Sequence, residues 1–172
     1  MSIEKVRCYV ALGANLGDPV ATVRAAISAL CGLPDCRMVA ESSLYCTAPV
    51  GLKHQPDFIN AVVAIDTVLP APTLMSLLFR MEEKFGRQRT PNGARNLART
   101  LDLDLDLLLH GDQTDTNPAL TLPHPRMHER AFVLAPLAEI APDTKIPGYA
   151  SVAELLASCH DQRIERLVSG PA

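Results

Sequence analysis

Apolar residues follow two different periods along the first two thirds of the chain. Four apolar runs bounded by turn residues predict β-strands. Between them, apolar positions recur at helical spacing in two segments, one opening at Asp18-Pro19 and one at Pro70. Asp before Pro is a typical helix start, because the carboxylate caps the first turn and proline suits the first helical position. The predicted strands are Val6–Leu12, Met38–Tyr45, Phe58–Val68 and Thr100–Leu109.

The order of these elements predicts the fold class. The order β-α-β-β-α-β is typical of a ferredoxin-like α+β core, an antiparallel sheet with helices packed on one face. Beyond Leu109 the pattern predicts a C-terminal extension with helices over Phe132–Ile140 and from Ser151 to Ser158. We expect one domain over residues 1–160 and a tail over residues 161–172. This fold hosts enzymes, regulatory binding domains and RNA binders, so function must be inferred from particular residues.

The fourth predicted strand carries aspartates at every second position, Asp102, Asp104 and Asp106. Side chains alternate along a strand, so all three carboxylates share one face and the intervening leucines take the other. A single Asp-x-Asp spacing is a weak signal, because exposed strand faces often carry acids. Three carboxylates in a row repel one another unless a cation binds, and Mg²⁺ prefers carboxylate oxygens, water and substrate phosphates. The row therefore indicates a Mg²⁺ site.

A cationic segment precedes this strand directly. Residues Lys84 to Arg99 include five positive side chains and no acidic one, although the chain has a net charge of −3. A local positive segment on an acidic body favours a small polyanion over a nucleic acid. A solvated surface loop is the simpler interpretation of a charge run. Its place beside the aspartates, with Pro91, Asn92 and Gly93 inside it, favours a mobile loop that closes over phosphates.

The composition of the chain limits its expected number of domains and its expected location in the cell. The chain has 172 residues and 48% hydrophobic content, which suits one domain with a sizeable core. Its apolar runs are too short for a transmembrane helix, and its N-terminus does not resemble a signal peptide. Five scattered cysteines without a Cys-x-x-Cys pair indicate reduced thiols. We therefore expect a cytoplasmic protein with no membrane partner.

Six segments together resemble the 6-hydroxymethyl-7,8-dihydropterin pyrophosphokinase family of folate biosynthesis. Each segment is short, but they follow the family's order over nearly the whole chain, and the combination is specific. The segments are Ala11–Gly17, Ser42–Gly51, Gln55–Ala61, Arg95–Asp104, Leu122–Arg126 and Glu129–Pro142.

The resemblance implies Mg²⁺-dependent transfer of pyrophosphate from ATP to the pterin hydroxymethyl group, giving the pterin diphosphate and AMP. It implies two Mg²⁺ ions, ATP as co-substrate and a monomer. The implied metal ligands are Asp102 and Asp104, and the implied catalytic residues are Arg89, Arg99 and Asp104. The implied ATP contacts are Glu82, Arg87, Arg95, Thr121, His124 and Arg130. The implied pterin contacts are Thr47, Val50, Phe58, Asn60 and Phe132, with the pterin between the two phenylalanine rings.

The chain departs from the family pattern by one additional Leu-Asp unit. Counting from Arg99 selects Asp102 and Asp104 as the metal pair, whereas counting back from Gly111 and His124 selects Asp104 and Asp106. A slip of two residues preserves the face of every side chain, so the alternation does not decide between these registers.

Two other kinds of protein fit the same residues. A ferredoxin-like regulatory module would bind a small anion without turnover and release no AMP. A nucleotidyl- or sugar-nucleotide-processing enzyme would use the Asp-x-Asp pair to release pyrophosphate.

Overall fold

The described residues of the computed structural model, 4–47, 57–85, 103–159 and 162–167, form an α+β structure around a six-stranded antiparallel sheet. The strand order is β5-β1-β4-β3-β6, and β2 also pairs with β4. The elements are β1 Val6–Ala14, α1 Pro19–Cys31, β2 Cys36–Glu41, β3 Tyr45–Thr47, β4 Phe58–Thr67, α2 Ala71–Lys84, β5 Asp104–His110, a 3-10 turn Met127–Glu129, α3 Ala131–Ile140, α4 Val152–Ala157 and β6 Ile164–Arg166.

Two predicted helix starts are confirmed by their caps. The Asp18 side chain accepts a hydrogen bond from the Ala21 N–H at 3.1 Å, where α1 begins. The Ser151 hydroxyl accepts from the Glu154 N–H at 3.3 Å, where α4 begins. In both cases a side-chain oxygen satisfies a backbone donor that the helix itself leaves unpaired.

The second predicted strand differs from the observed structure, because β2 and β3 are separate strands. The Ser42 hydroxyl accepts from the Val62 N–H at 2.9 Å and donates to the Ser43 carbonyl at 2.8 Å. A side chain thus takes the place of a backbone acceptor, and the regular pairing with β4 stops at Ser42. The described part of the fourth predicted strand begins at Asp104, and residues 100–102 lie outside the described ranges.

Helices cover both faces of the sheet. Helices α1 and α2 pack on one face, where their apolar residues meet Leu103, Leu105 and Leu107. Helices α3 and α4, from the C-terminal extension, pack on the opposite face over a second apolar cluster. Since Leu105 and Leu107 of β5 lie in the cluster under α1 and α2, Asp104 and Asp106, which alternate with them, face the α3 side.

The predicted tail contains an edge strand. Strand β6 pairs antiparallel with β3, with Ile164 opposite Thr47 and Arg166 opposite Tyr45. The Leu167 N–H continues this contact by donating to the Leu44 carbonyl at 2.8 Å. Among the residues that the structure describes, no helix is both long and apolar enough to cross a membrane.

Gly111, directly after β5, is expected to be required for stability. Its φ is +59°, and an added Cβ would lie 2.9 Å from Val6 Cγ1. We expect Gly111→Ala to lower the free energy of unfolding by about 1–2 kcal/mol, because it adds left-handed strain to this clash. Urea unfolding measures the change.

Gly32→Ala is the matched control for this substitution. Gly32 has a φ of −96°, and its added Cβ would meet its nearest neighbour at 3.6 Å. We expect a change within about 0.5 kcal/mol. Equal losses at the two glycines would contradict the steric explanation.

Candidate active site

A row of three paired residues crosses three strands on the α3 side of the sheet, with a polar side chain at each end. Gly13 in β1 is the register partner of Asn60 in β4 and of Asp104 in β5. Directly opposite residues share a face, so an amide and a carboxylate flank a position that has no side chain. An added Cβ at Gly13 would lie only 3.2 Å from Asn60 Oδ1. The glycine therefore keeps the space between the amide and the carboxylate open.

The neighbouring row carries the second aspartate. Asp106 is the register partner of Ala11, which is the partner of Val62. Asp104 is partly exposed, and the side chain of Asp106 is 49% exposed. The structure thus confirms that Asp104 and Asp106 share a face, with small residues of β1 beside both.

His124 lies close to this carboxylate pair. Its Nε2 is 4.0 Å from Asp106 Oδ1, and its backbone N–H donates to the Leu108 carbonyl at 3.0 Å. Burial lowers the pKa of His124, against the opposite effect of Asp106, and Arg130 and Arg126 lower it further. The Arg126 N–H donates to Nδ1 at 3.4 Å. The neutral imidazole therefore carries its proton on Nε2, toward Asp106.

A cleft of about 230 Å³ runs beside the edge strand β5. It is lined by Asp106 and by two of the predicted ATP contacts, Thr121 and His124. Its other walls are apolar, a combination typical of ligand pockets. The remaining lining residues are Met75, Leu78, Phe79, Leu105, Leu107, Pro118, Ala119 and Pro125.

Glu82, also predicted as an ATP contact, is buried at the end of α2. Its Oε2 accepts a hydrogen bond from the Leu105 N–H at 2.9 Å. Among the described strands β5 ends the sheet, so this carboxylate satisfies a backbone donor on the side where the described residues place no strand. Glu82 thus fixes α2 beside the cleft wall formed by Leu105.

Three of the predicted pterin contacts, Thr47, Phe58 and Asn60, lie at the other end of the row. Asn60 Nδ2 donates to Thr47 Oγ1 at 2.8 Å, and both residues are buried. Phe58 is the register partner of Thr47, so Phe58, Thr47 and Asn60 share the face that carries Asp104. Phe132 is the second residue of α3 and packs on the apolar cluster of this face. The Arg130 guanidinium carbon lies 5.4 Å from the centroid of the Phe132 ring.

Several predicted site residues lie outside the described ranges. They are Val50, Arg87, Arg89, Arg95, Arg99 and Asp102.

Sequence reasoning missed a hydrogen-bond network behind the pterin end of the row. The Glu139 carboxylate in α3 accepts from the Tyr45 hydroxyl at 2.7 Å and from the Ser43 N–H and hydroxyl at 3.0 Å. An acidic residue in a helix normally indicates a solvated face, so no local pattern identifies this contact. The network holds α3, which carries Phe132, against β3, which carries Thr47.

This network predicts a pH dependence of stability. Burial acts to raise the pKa of Glu139, but hydrogen bonds from Tyr45 and Ser43 outweigh it and keep that pKa below 4.5. Because the carboxyl group has a lower pKa in the folded chain than in the unfolded chain, it stabilises the fold at pH values above its unfolded pKa. This stabilisation disappears as the pH falls through its folded pKa. We expect Glu139→Gln to flatten the fall in unfolding free energy below pH 4.5.

Urea unfolding at pH values from about 3 to 7 measures this difference. Glu165→Gln, at an exposed position of β6, is the control. A Glu139→Gln curve parallel to that of the wild type would contradict the assigned role of the carboxylate.

The fold and the site define an enzyme class. A carboxylate pair, a neutral histidine and a cleft of mixed polarity on an α+β scaffold are typical of phosphate-transferring enzymes.

Comparisons with known proteins identify the family within this class. The family model of 7,8-dihydro-6-hydroxymethylpterin-pyrophosphokinase matches residues 9–142. A relative from Pseudomonas aeruginosa, named 2-amino-4-hydroxy-6-hydroxymethyldihydropteridine pyrophosphokinase, is 46% identical over 161 residues, covering 94% of this chain and 96% of its own. A relative of the same name from Haemophilus influenzae is 40% identical over 162 residues, covering 94% and 98%. The chain belongs to this pyrophosphokinase family, which confirms the resemblance of the six segments.

Solved structures share the fold at low sequence identity. Wild-type HPPK-DHPS of Plasmodium falciparum superposes with a TM-score of 0.69 at 12% identity, covering 90% of this chain and 41% of that one. A structure of HPPK-DHPS in complex with substrates gives a TM-score of 0.65 at 11% identity, covering 90% and 43%. The chain thus spans less than half the length of these structures, and the likeness concerns the fold.

Proposed function

We propose that the sheet face carrying Asn60, Gly13 and Asp104 is where the family's reaction occurs in this protein. The protein transfers pyrophosphate from ATP to the hydroxymethyl group of 6-hydroxymethyl-7,8-dihydropterin, a step of folate biosynthesis. The hydroxymethyl oxygen loses its proton and forms a bond to the β-phosphorus, the bond from the β-phosphorus to the oxygen that bridges it to the α-phosphorus breaks, and AMP leaves with that oxygen. The observation that carries the assignment is the row across three strands, which places an amide beside an open position and a carboxylate.

The metal platform is assigned to Asp104 and Asp106. The two carboxylates share a face, and Gly13 and Ala11 beside them leave room for hydrated ions. Mg²⁺ usually binds one or two protein carboxylates and completes its shell with water and phosphate oxygens, so this pair fits it. When bound, two Mg²⁺ ions would neutralise the triphosphate and polarise the β-phosphorus. The contact between Asp106 and His124 favours this register over Asp102 with Asp104.

The pterin is assigned to the Asn60 end of the row. A flat ring suits stacking between the aromatic side chains of Phe58 and Phe132. The hydrogen bond from Asn60 Nδ2 to Thr47 fixes the orientation of the amide and directs Oδ1 toward Gly13. Asn60, with backbone groups of Thr47 and Val50, would read the polar edge of the pterin. The hydroxymethyl group then extends toward Asp104.

ATP is assigned to the cleft beside β5. Thr121 and His124 line it, and the Nε2–H of His124 donates to phosphate or to Asp106 without adding a fixed charge. Arg130 contributes a guanidinium group at the border with the pterin site. The clamp on the triphosphate is assigned to arginines outside the described ranges, namely Arg87, Arg89, Arg95 and Arg99. These groups stabilise negative charge as it develops on the transferring phosphates.

We also infer that the core is ferredoxin-like. The strand order β5-β1-β4 followed by β2 and β3, with α1 and α2 together on one face, supports this inference. Residues 1–160 are proposed as one domain, and residues 161–172 as a tail that adds β6 to the sheet. Five free cysteines support a cytoplasmic location, and a net charge of −3 argues against nucleic acid as a partner.

Identification of the nucleotide product tests this proposal. The protein is incubated with ATP, Mg²⁺ and 6-hydroxymethyl-7,8-dihydropterin, and nucleotides are separated by chromatography. We expect AMP and pterin diphosphate in equal amounts, and no AMP when the pterin is omitted. Unchanged ATP would favour an anion-binding module, and pyrophosphate release without AMP would favour a nucleotidyl-processing enzyme.

A further inference from the structure

The start of α3 is held by a side chain from the C-terminal segment. The residue at its N-cap position, Arg130, makes no side-chain capping bond. Instead, Gln162 Oε1 accepts from the Ala131 N–H at 2.8 Å, and Gln162 Nε2 donates to the Glu129 carbonyl at 2.8 Å. One carboxamide thus binds the backbone on both sides of Arg130.

The chemistry of this contact fixes the orientation of the carboxamide. A backbone N–H only donates and a carbonyl only accepts, so Oε1 must face Ala131 and Nε2 must face Glu129. Two hydrogen bonds from one planar carboxamide also restrict rotation of the bound backbone more than a single hydrogen bond does. The backbone of Arg130 is therefore constrained from both sides.

The segment that begins at Gln162 also holds the opposite side of the proposed pterin site. Ile164 in β6 is the register partner of Thr47 in β3. Two residues along, Arg166 Nε donates to the Ser43 hydroxyl at 3.0 Å. Six residues, 162–167, thus connect the start of α3 with β3. Phe132 and Thr47, assigned to the same substrate, lie on the two elements that this segment joins.

We propose that Gln162 is a positioning residue for substrate binding. Its carboxamide keeps the backbone from Glu129 to Ala131 in the conformation that presents Arg130 to ATP and Phe132 to the pterin. This inference rests on the roles proposed above for Arg130 and Phe132. Without the carboxamide, the segment samples other conformations, and only the competent fraction binds. An apparent dissociation constant rises in inverse proportion to that fraction.

Steady-state kinetics of Gln162→Ala tests the proposal. We expect KM to rise about fivefold for the pterin and for ATP, the factor that corresponds to the net free energy of about one hydrogen bond. The kcat is expected to stay within about twofold, because bound substrates restore the competent geometry. Gln113→Ala, the same change at an exposed turn, is expected to leave both constants unchanged.

A second variant separates positioning from folding. Gln162→Glu keeps an acceptor for the Ala131 N–H and removes the donor to Glu129, so we expect a smaller rise in KM and a folded protein. Thermal unfolding verifies that each assay is made on folded protein. If both variants keep wild-type KM values for both substrates, the proposal is overturned, even if their midpoint temperatures fall.

Phe132→Ala distinguishes failure of this inference from failure of the proposed pterin site. If Phe132→Ala raises the KM for the pterin and Gln162→Ala does not, the pterin site stands and the positioning role is wrong. If Phe132→Ala leaves that KM unchanged, the stacking role is wrong and the positioning role toward the pterin fails with it, whereas the positioning of Arg130 is tested by the KM for ATP in Gln162→Ala.

Discussion

Asp104→Ala is expected to reduce the rate of pyrophosphate transfer by about a thousandfold, the scale of losing an electrostatic group at the reacting centre. Asp104 belongs to both registers of the metal pair. It lies opposite Gly13, and the amide of Asn60 lies on the other side of that open position. Without this carboxylate, the proposed platform would keep Asp106 as its one ligand among the described residues, and the negative charge that develops at the β-phosphorus would be poorly neutralised.

Initial rates of AMP formation at saturating Mg²⁺ measure this loss. Asp112→Ala is the control, because Asp112 is an exposed acid in the turn after β5. Circular dichroism and thermal unfolding verify that the Asp104→Ala protein is folded. Retention of more than about a tenth of the wild-type rate would contradict a role in metal binding.

Asp106→Ala is expected to reduce the rate about a hundredfold or more, whereas Asp102→Ala is expected to reduce it less than about tenfold. Asp106 follows Asp104 on the same face of β5, and its Oδ1 lies 4.0 Å from His124 Nε2. His124 and Thr121 line the cleft beside it. A metal bound to Asp106 would therefore contact phosphates of a nucleotide held in that cleft.

The concentration of Mg²⁺ required for half-maximal rate is a second measurement that shows whether Asp102 or Asp106 binds metal together with Asp104. We expect it to rise in Asp106→Ala, because the substitution removes a metal ligand. It is expected to stay near the wild-type value in Asp102→Ala. The reverse ranking of the two variants, in rate and in Mg²⁺ requirement, would select Asp102 and Asp104 as the pair.

Sequence patterns predict those features of the fold that residues close together in the chain determine by themselves. Alternation of Asp and Leu predicted that Asp104 and Asp106 share a face, because strand geometry alone determines which way a side chain points. Asp18 and Ser151 predicted two helix starts, because a cap is a contact within one turn. These predictions needed no knowledge of the rest of the chain.

Features made by distant parts of the chain were not predictable in this way. The pattern predicts that the first strand ends at Leu12, but Gly13 lies within β1, because it pairs with Asn60 in β4 and with Asp104 in β5. Strand β6 forms on an edge that β3 provides, and Gln162 caps a helix 31 residues away. Glu139 is recognisable as a structural carboxylate only once Tyr45 lies beside it. Each contact depends on the assembled fold.

Binding of Mn²⁺, followed by electron paramagnetic resonance, tests most directly whether Asp104 and Asp106 form the metal platform. The nucleotide is α,β-methylene-ATP, whose α–β bridge cannot break, and the pterin is present at saturation. We predict two bound Mn²⁺ ions per chain for the wild type and for Asp102→Ala, and fewer for Asp104→Ala and for Asp106→Ala. Two ions in Asp106→Ala, with a loss in Asp102→Ala, would contradict the platform assigned here.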